Sequence, residues 1–265
     1  LTIDFHAHAF PDDLAEHAIT TLHAGIAPDY HAVLDGTVGG LLASMDRAGI
    51  DAAVICSIAT APKQIEPILR WSLSIAGDRI VPFGSVHPDC EDLPAAVGRI
   101  ADAGLRGIKL HPLYQGFATD DQRLWPLYGA IAERGLVLVM HTGCDVAFPL
   151  DDDRASPTRL LAVHHAFPDL KLVAAHFGGW RTWREAAETI AGTDVYLETS
   201  YALGQGEDEA VRAVWSKHSP DRVLFGTDTP WRDQAVELAA WTDFLPEAAR
   251  GQVLHENAAR LLGLK

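Results

Sequence analysis

The chain has 265 residues, 48% of them hydrophobic, which suffices for one large buried core and suits a single α/β barrel domain spanning residues 1–265. Its 36 acidic against 21 basic residues leave a formal charge of −15, which repels phosphate backbones and anionic membrane surfaces and argues against nucleic acid or membrane as partners. The cysteines Cys56, Cys90 and Cys144 form no Cys-x-x-Cys pair, and no apolar run is long enough to cross a bilayer, so a reducing cytoplasm is the expected setting.

In chain order, short β-rich apolar runs alternate with amphipathic helical stretches. The predicted strands cover residues 2–5, 52–58, 80–86, 107–110, 136–140, 171–175, 195–198 and 222–225. Helical patterns fill 40–48, 64–76, 93–103, 121–134, 157–166, 182–191, 208–217 and 233–244. Ser156 followed by Pro157 is a helix-start signal, and Gly49, Gly77, Gly104 and Gly135 each follow a predicted helix end. The strands read as near-continuous apolar runs, as parallel strands covered on both faces should. Eight such units predict a closed (β/α)8 TIM barrel, with an open doubly wound sheet as the alternative. No Gly-x-Gly-x-x-Gly or Gly-x-x-x-x-Gly-Lys loop supports a nucleotide-binding version of that sheet. Residues 9–39 form a long insertion after the first strand, expected to overhang the barrel mouth as a lid, an oligomer contact or mere decoration. A final helix over 246–262 is expected to pack against the outside or the bottom of the barrel.

The first strand, TIDFHAHA, carries His6 and His8 two residues apart, so a strand's period of two points both rings to one side. Of 13 histidines, six stand at or just past the carboxyl end of a predicted strand: His6, His8, His87, His111, His141 and His176. Asp228, in FGTD, ends the eighth strand. Barrel chemistry is built at that rim, where strand ends and βα loops converge.

Through DFHAH, GIKLHP, VMHTG, AHFGGW, FGTDTPW and ENAARLLGL the chain resembles the amidohydrolase superfamily along essentially its whole length. Specifically, it resembles the amidohydrolase-related branch that includes aminocarboxymuconate-semialdehyde decarboxylase and relatives. The resemblance implies that His6, His8, His141 and Asp228 ligate one divalent ion, with zinc expected and manganese the alternative. It makes His176 the acid/base or polarising group beside the metal, and in the resembling family a homodimer is common. The donor chemistry agrees: imidazole and carboxylate suit either ion, and three or four protein ligands leave a position open for water. Zinc can bring the pKa of such a water to about 7, with Asp228 to accept its proton. The alternative for His176 is a histidine that merely satisfies the backbone.

Lys109, one of five lysines, lies inside the apolar run GIKLH, where an unpaired ammonium is costly. Superfamily members with a carboxylated fourth-strand lysine bridge two metals through it. Otherwise Lys109 is a cation paired with Asp228 or with a substrate carboxylate, or a structural salt bridge. The mononuclear reading is preferred on resemblance. Glu198 is expected to support the site from behind or to balance an arginine.

His111, Tyr114, Gln115, Phe148, Trp180, Tyr201 and Trp231 follow the later strands and would select a small flat or cyclic substrate. Arg181, Arg184 and Arg232 lie near the same rim and are candidates to clamp a substrate carboxylate. The leading functional expectation is a metal-dependent hydrolase acting on an amide, ester or lactone. Non-oxidative decarboxylation of an unsaturated or aromatic carboxylic acid is the alternative, because one site serves both. A non-catalytic barrel binding protein is a third reading, and an NAD-dependent oxidoreductase lacks its signature loop.

Overall fold

The computed structural model describes residues 1–24, 26 and 30–264. Eight strands carry the fold: β1 (Ile3–Ala7), β2 (Ala52–Cys56), β3 (Ile80–Phe83), β4 (Gly107–Leu110), β5 (Val137–Met140), β6 (Lys171–Ala174), β7 (Tyr196–Glu198) and β8 (Val223–Leu224). They run parallel in sequence order, as β1-β2-β3 and β4-β5-β6-β7-β8. Backbone hydrogen bonds join both seams. Gly84 N donates to Gly107 O and Lys109 N to Gly84 O, each at 2.9 Å, while Phe5 N reaches Phe225 O and Asp228 N reaches His6 O, each at 2.7 Å. The ring is therefore stitched between β3 and β4 and between β8 and β1, as the barrel reading requires and an open sheet does not.

The helices are α1 (Asp12–His23), α2 (Val38–Ala48), α3 (Ile65–Ile75), α4 (Leu93–Asp102), α5 (Pro112–Gln115), α6 (Trp125–Glu133), α7 (Pro157–Ala166), α8 (Trp183–Glu188), α9 (Asp208–Lys217), α10 (Gln234–Phe244), α11 (Glu247–Gly251) and α12 (Asn257–Leu262). The Ser156 hydroxyl accepts from Arg159 N with Pro157 at the first helical position, and Gly49 caps α2 in the left-handed region, both as the sequence signals indicate. One expectation is corrected: the insertion at 9–39, read as a long loop, contains the helix Asp12–His23; its residues 25 and 27–29 lie outside the described residues. The final helical stretch runs unbroken from Glu247 to Leu262, with a π-helical turn, Gln252–Glu256, between α11 and α12.

Two apolar layers result. Inside the barrel, Ile3, Phe5, Val54, Phe83, Val139, Val173 and Leu224 pack with Ala258, Leu261 and Leu262, so α12 plugs the bottom. Buried Asn257 pins the plug by donating to Pro220 O at 2.7 Å and Val223 O at 2.8 Å. Between barrel and helices lies the larger layer, which includes Leu41, Ile100, Leu127, Trp183 and Trp241. No helix among the described residues is long and apolar enough to cross a membrane.

At the end of α9, buried His218 accepts a hydrogen bond from Gly192 N at 3.1 Å, and burial lowers its pKa to about 4. An unfolded histidine titrates near 6.5, so His218 contributes stability that is full above that pH and lost as pH falls toward 4. Between pH 7 and pH 5 the loss from this residue is expected to be about 2 kcal/mol. Urea denaturation at the two pH values should find that much less difference in His218→Asn, whose amide oxygen can replace Nδ1 as the acceptor.

Candidate metal centre and active site

A β-bulge between Asp4 and Ala7 shifts the register of β1 on β2 and delivers His6 and His8 to the carboxyl end of the barrel with their ring centroids 5.0 Å apart. From the far end of the chain comes Asp228, held at a left-handed φ of 62°. His176 has the same unusual backbone, φ 57°, and strained non-glycine residues of this kind concentrate at functional sites. The β5 and β6 loops meet through Gly143, where a Cβ would stand 2.3 Å from Trp180 N. Only glycine permits that approach, which brings His141 beside His176.

His8 Nε2 lies 3.0 Å from Asp228 Oδ1, and His6 Nε2 lies 3.5 Å from the same oxygen. The donor atoms of these three residues fall within 4.8 Å of one another, and two imidazoles with one carboxylate suit a first-row divalent ion. Behind them, His6 Nδ1 is 2.8 Å from Glu198 Oε2, an outer carboxylate of the type that orients metal-binding imidazoles. Ser200 completes this layer. Its backbone N–H donates to Glu198 Oε1 at 2.5 Å, and its hydroxyl lies 2.9 Å from Glu198 Oε2 and 3.0 Å from His176 Nδ1.

His141, the expected fourth ligand, stands apart from that trio. Its Nδ1 is 3.0 Å from His176 Nε2, its Nε2 faces Cys144 O at 3.0 Å, and its ring stacks on His111 at 3.8 Å. With His111 and Asp145 it forms a second donor group. Lys109 is buried with its Nζ 3.1 Å from His6 Nε2, and among the described residues no carboxylate oxygen comes within 4.0 Å of it. The expected ion pair with Asp228 is thus replaced by a contact with a histidine.

Burial sets the protonation states. It holds His6, His111, His141 and His176 well below the usual histidine range, so their rings are neutral with lone pairs available. It also lowers Lys109, and it raises Glu198 to about 8 against the hydrogen bonds from Ser200. Burial would raise Asp228 too, but the hydrogen bond from His8 and the neighbouring imidazoles of His6, His8 and His176 outweigh it, giving about 2 and an ionised carboxylate at neutral pH.

These groups form the floor of a cavity of about 520 Å³. Tyr114, Trp180, Tyr201 and Trp231 line it with His111, as expected. Four expectations are corrected. Gln115 is structural: its amide donates to Ala59 O and Val86 O and accepts from His111 N. His87 accepts from Asp89 N and stays outside the cavity lining. Phe148 packs edge-on against Tyr114 without lining the cavity. None of the three rim arginines lines it: Arg181 donates to the Tyr30 hydroxyl, Arg232 to Glu237, and Arg184 is exposed. Cavity residues that sequence reasoning passed over include Asp145 and those of α1 and α3.

A family model described as Amidohydrolase matches residues 3–264, and the chain belongs to the amidohydrolase family. No curated protein matches the chain. Among solved structures, it is similar to an uncharacterized TIM-barrel protein from Bordetella bronchiseptica, with 23% identity over 99% of this chain and 98% of that one and a TM-score of 0.76. A 5-carboxyvanillate decarboxylase from Novosphingobium aromaticivorans, solved as a D314N mutant with bound manganese and 3-methoxy-4-hydroxy-5-nitrobenzoic acid, is 16% identical over 100% and 97% of the two chains, with a TM-score of 0.71. A probable 2-pyrone-4,6-dicarboxylic acid hydrolase from Acinetobacter baumannii with citric acid bound is 15% identical over 99% of each chain, with a TM-score of 0.66. Decarboxylases of aromatic acids recur among the similar structures.

His8 is the test residue for the metal, because it is only partly buried and its loss leaves the barrel core intact. Elemental analysis of protein purified without chelator is expected to find zinc or manganese in the wild type and a loss of at least tenfold in His8→Ala, with unchanged circular dichroism. Equal metal content in the two proteins would remove His8 from the centre.

Proposed function

We propose that this amidohydrolase-family barrel is a metal-dependent, non-oxidative decarboxylase of an aromatic or otherwise unsaturated carboxylic acid. The observation that carries the reading is one cavity with a floor of neutral imidazoles and an ionised carboxylate and with walls of flat aromatic rings. The recurrence of aromatic-acid decarboxylases among full-length structural relatives supports this choice over hydrolysis, the leading expectation from the sequence. Hydrolysis of a lactone is the second reading, supported by the Acinetobacter relative.

His6, His8 and Asp228 would hold the divalent ion, zinc or manganese, which when bound supplies positive charge to fix and polarise the substrate carboxylate. The neutral His111 and His176 rings and the Lys109 amine offer hydrogen bonds to the substrate's oxygens. Tyr114, Trp180 and Trp231 hold its ring flat and keep water from the reacting carbon. As the carbon–carbon bond breaks, its electron pair stays on the ring carbon, which takes up a proton while carbon dioxide leaves. Ionised Asp228 first takes up a proton, from an acidic O–H of the substrate or from solvent. That proton reaches the carbon either from Asp228 directly or through the N–H of the neutral His176 ring, which Asp228 then replenishes. No redox partner is needed.

Metal-loaded protein incubated with a panel of hydroxybenzoates and unsaturated acids is expected to release carbon dioxide from some members and to leave lactones, esters and amides intact. Asp228→Asn should lower kcat by at least about a hundredfold, the scale of lost proton transfer. Lactone turnover without carbon dioxide release would reverse the order of the two readings.

A further inference from the structure

The cavity is larger than the donor floor requires. Its volume of about 520 Å³ lies in the range that encloses drug-sized ligands, roughly 300–1,000 Å³, whereas the metal donors and aromatic walls take up only its inner end. The outer end runs between two helices. From α1 come Leu14, Ala18 and Leu22, spaced four residues apart and so on one helical face, with His17 and Thr21 beside them. From α3 come Pro67, Ile68 and Trp71.

Most of this α1 face is not covered by the protein among the described residues. Ala15 is the helix's one fully buried residue, and Leu14 is 51% exposed although it lines the cavity. Ile19, on another side of the helix, lies against Gly36, as does Phe10, and anchors the helix there. The charged residues also divide. Lys109, Asp145 and Asp228 line the inner end, while no Lys, Arg, Asp or Glu among the described lining residues belongs to the outer end. Asp12, Asp13 and Glu16 of α1 are exposed and do not line the cavity. A polar, metal-type pocket is thus continuous with a largely apolar trough that carries no carboxylate, ammonium or guanidinium group among the described lining residues.

We propose that the substrate is longer than a single ring: it carries an apolar arm, an alkyl chain or second ring, that lies in the trough between α1 and α3 while its carboxylate end sits at the donor floor. The carboxylate end of this statement rests on the function proposed above, and the arm does not. A second protein molecule covering Leu14 is the competing occupant, but the trough belongs to the same cavity as the donor floor.

The test is calorimetric, on zinc- or manganese-loaded protein. Two homologous series are titrated, benzoates and neutral phenols, each bearing a 4-alkyl chain from methyl to butyl. Transfer of a methylene from water into an apolar site corresponds to about fourfold in affinity at full burial, so a gain of about two- to fourfold per methylene is expected in both series. Leu14→Asn, at an exposed position, and Ile68→Ser should each reduce that gain to less than about 1.5-fold, with thermal melts to establish that the variants are folded. A gain in the phenols with no benzoate binding would uphold the arm and count against the carboxylate reading. Absence of a chain-length gain in both series would overturn the arm. So would an unchanged gain in Leu14→Asn accompanied by dissociation of a dimer, which would make the trough a subunit contact.

Discussion

The buried carboxyl of Asp4 fastens the two ends of the barrel to each other. It accepts from Thr227 N at 3.0 Å, Thr227 Oγ1 at 2.7 Å, Gln234 Nε2 at 2.7 Å and His6 N at 3.1 Å. One side chain near the start of the chain thereby holds the turn after β8 that presents Asp228, as well as the bulge that presents His6 and His8. Burial raises its pKa to about 7 despite the bonds from Thr227 and Gln234, so the arrangement has an electrostatic cost. Breaking such a network by removing one partner leaves buried polar atoms unsatisfied, at about 1–3 kcal/mol each. The metal-type trio exists because this seam is closed.

The strands were legible because parallel strands buried on both faces must be apolar along their length, and that pattern survives without an alignment. The ends of β4, β5 and β7 were read correctly, but the reading ran to 58 and 86 where β2 and β3 end at Cys56 and Phe83, since buried or half-buried chain continues past the sheet at both places. Helix α1 escaped notice because Leu14, Ala18 and Leu22 face a cavity rather than the core. A thin apolar stripe among acidic residues and histidines reads as loop, although acidic Asp12 and Asp13 after Pro11 were a usable start signal.

The site was legible as residue types and less so as partnerships. Rim position identified His6, His8, His141, His176 and Asp228, because in a barrel the carboxyl end of every strand reaches the same mouth. Which histidine meets which atom depends on loop geometry between distant segments. That is why His141 joins His111 and Asp145, and why Lys109 meets His6 instead of a carboxylate. Glu198 was read from the sequence as a possible support of the site, and Ser200 could have been added by the strand's period of two, which carries the inward face of β7 past its end. The rim arginines mislead for a simple reason. A guanidinium beside a cavity is drawn to whatever acceptor is already fixed nearby, here Tyr30 or Glu237, before any substrate arrives.

Burial gives the site a chemical character that the net charge of −15 would not suggest. Four histidines are held neutral and one carboxylate is held ionised within a few ångströms, a mixture that favours cation binding over anion repulsion. For the decarboxylation proposed here, the walls matter as much as the donors. A carbanion-like ring carbon is quenched or stranded according to which proton reaches it first, so solvent must be replaced by fixed groups. In a water-poor cavity each charge acts through a lower effective dielectric and counts for more than it would in solution. The aromatic walls and the apolar trough beyond them serve that one requirement: each apolar group of a long substrate that enters the trough displaces water from the approach to the metal donors.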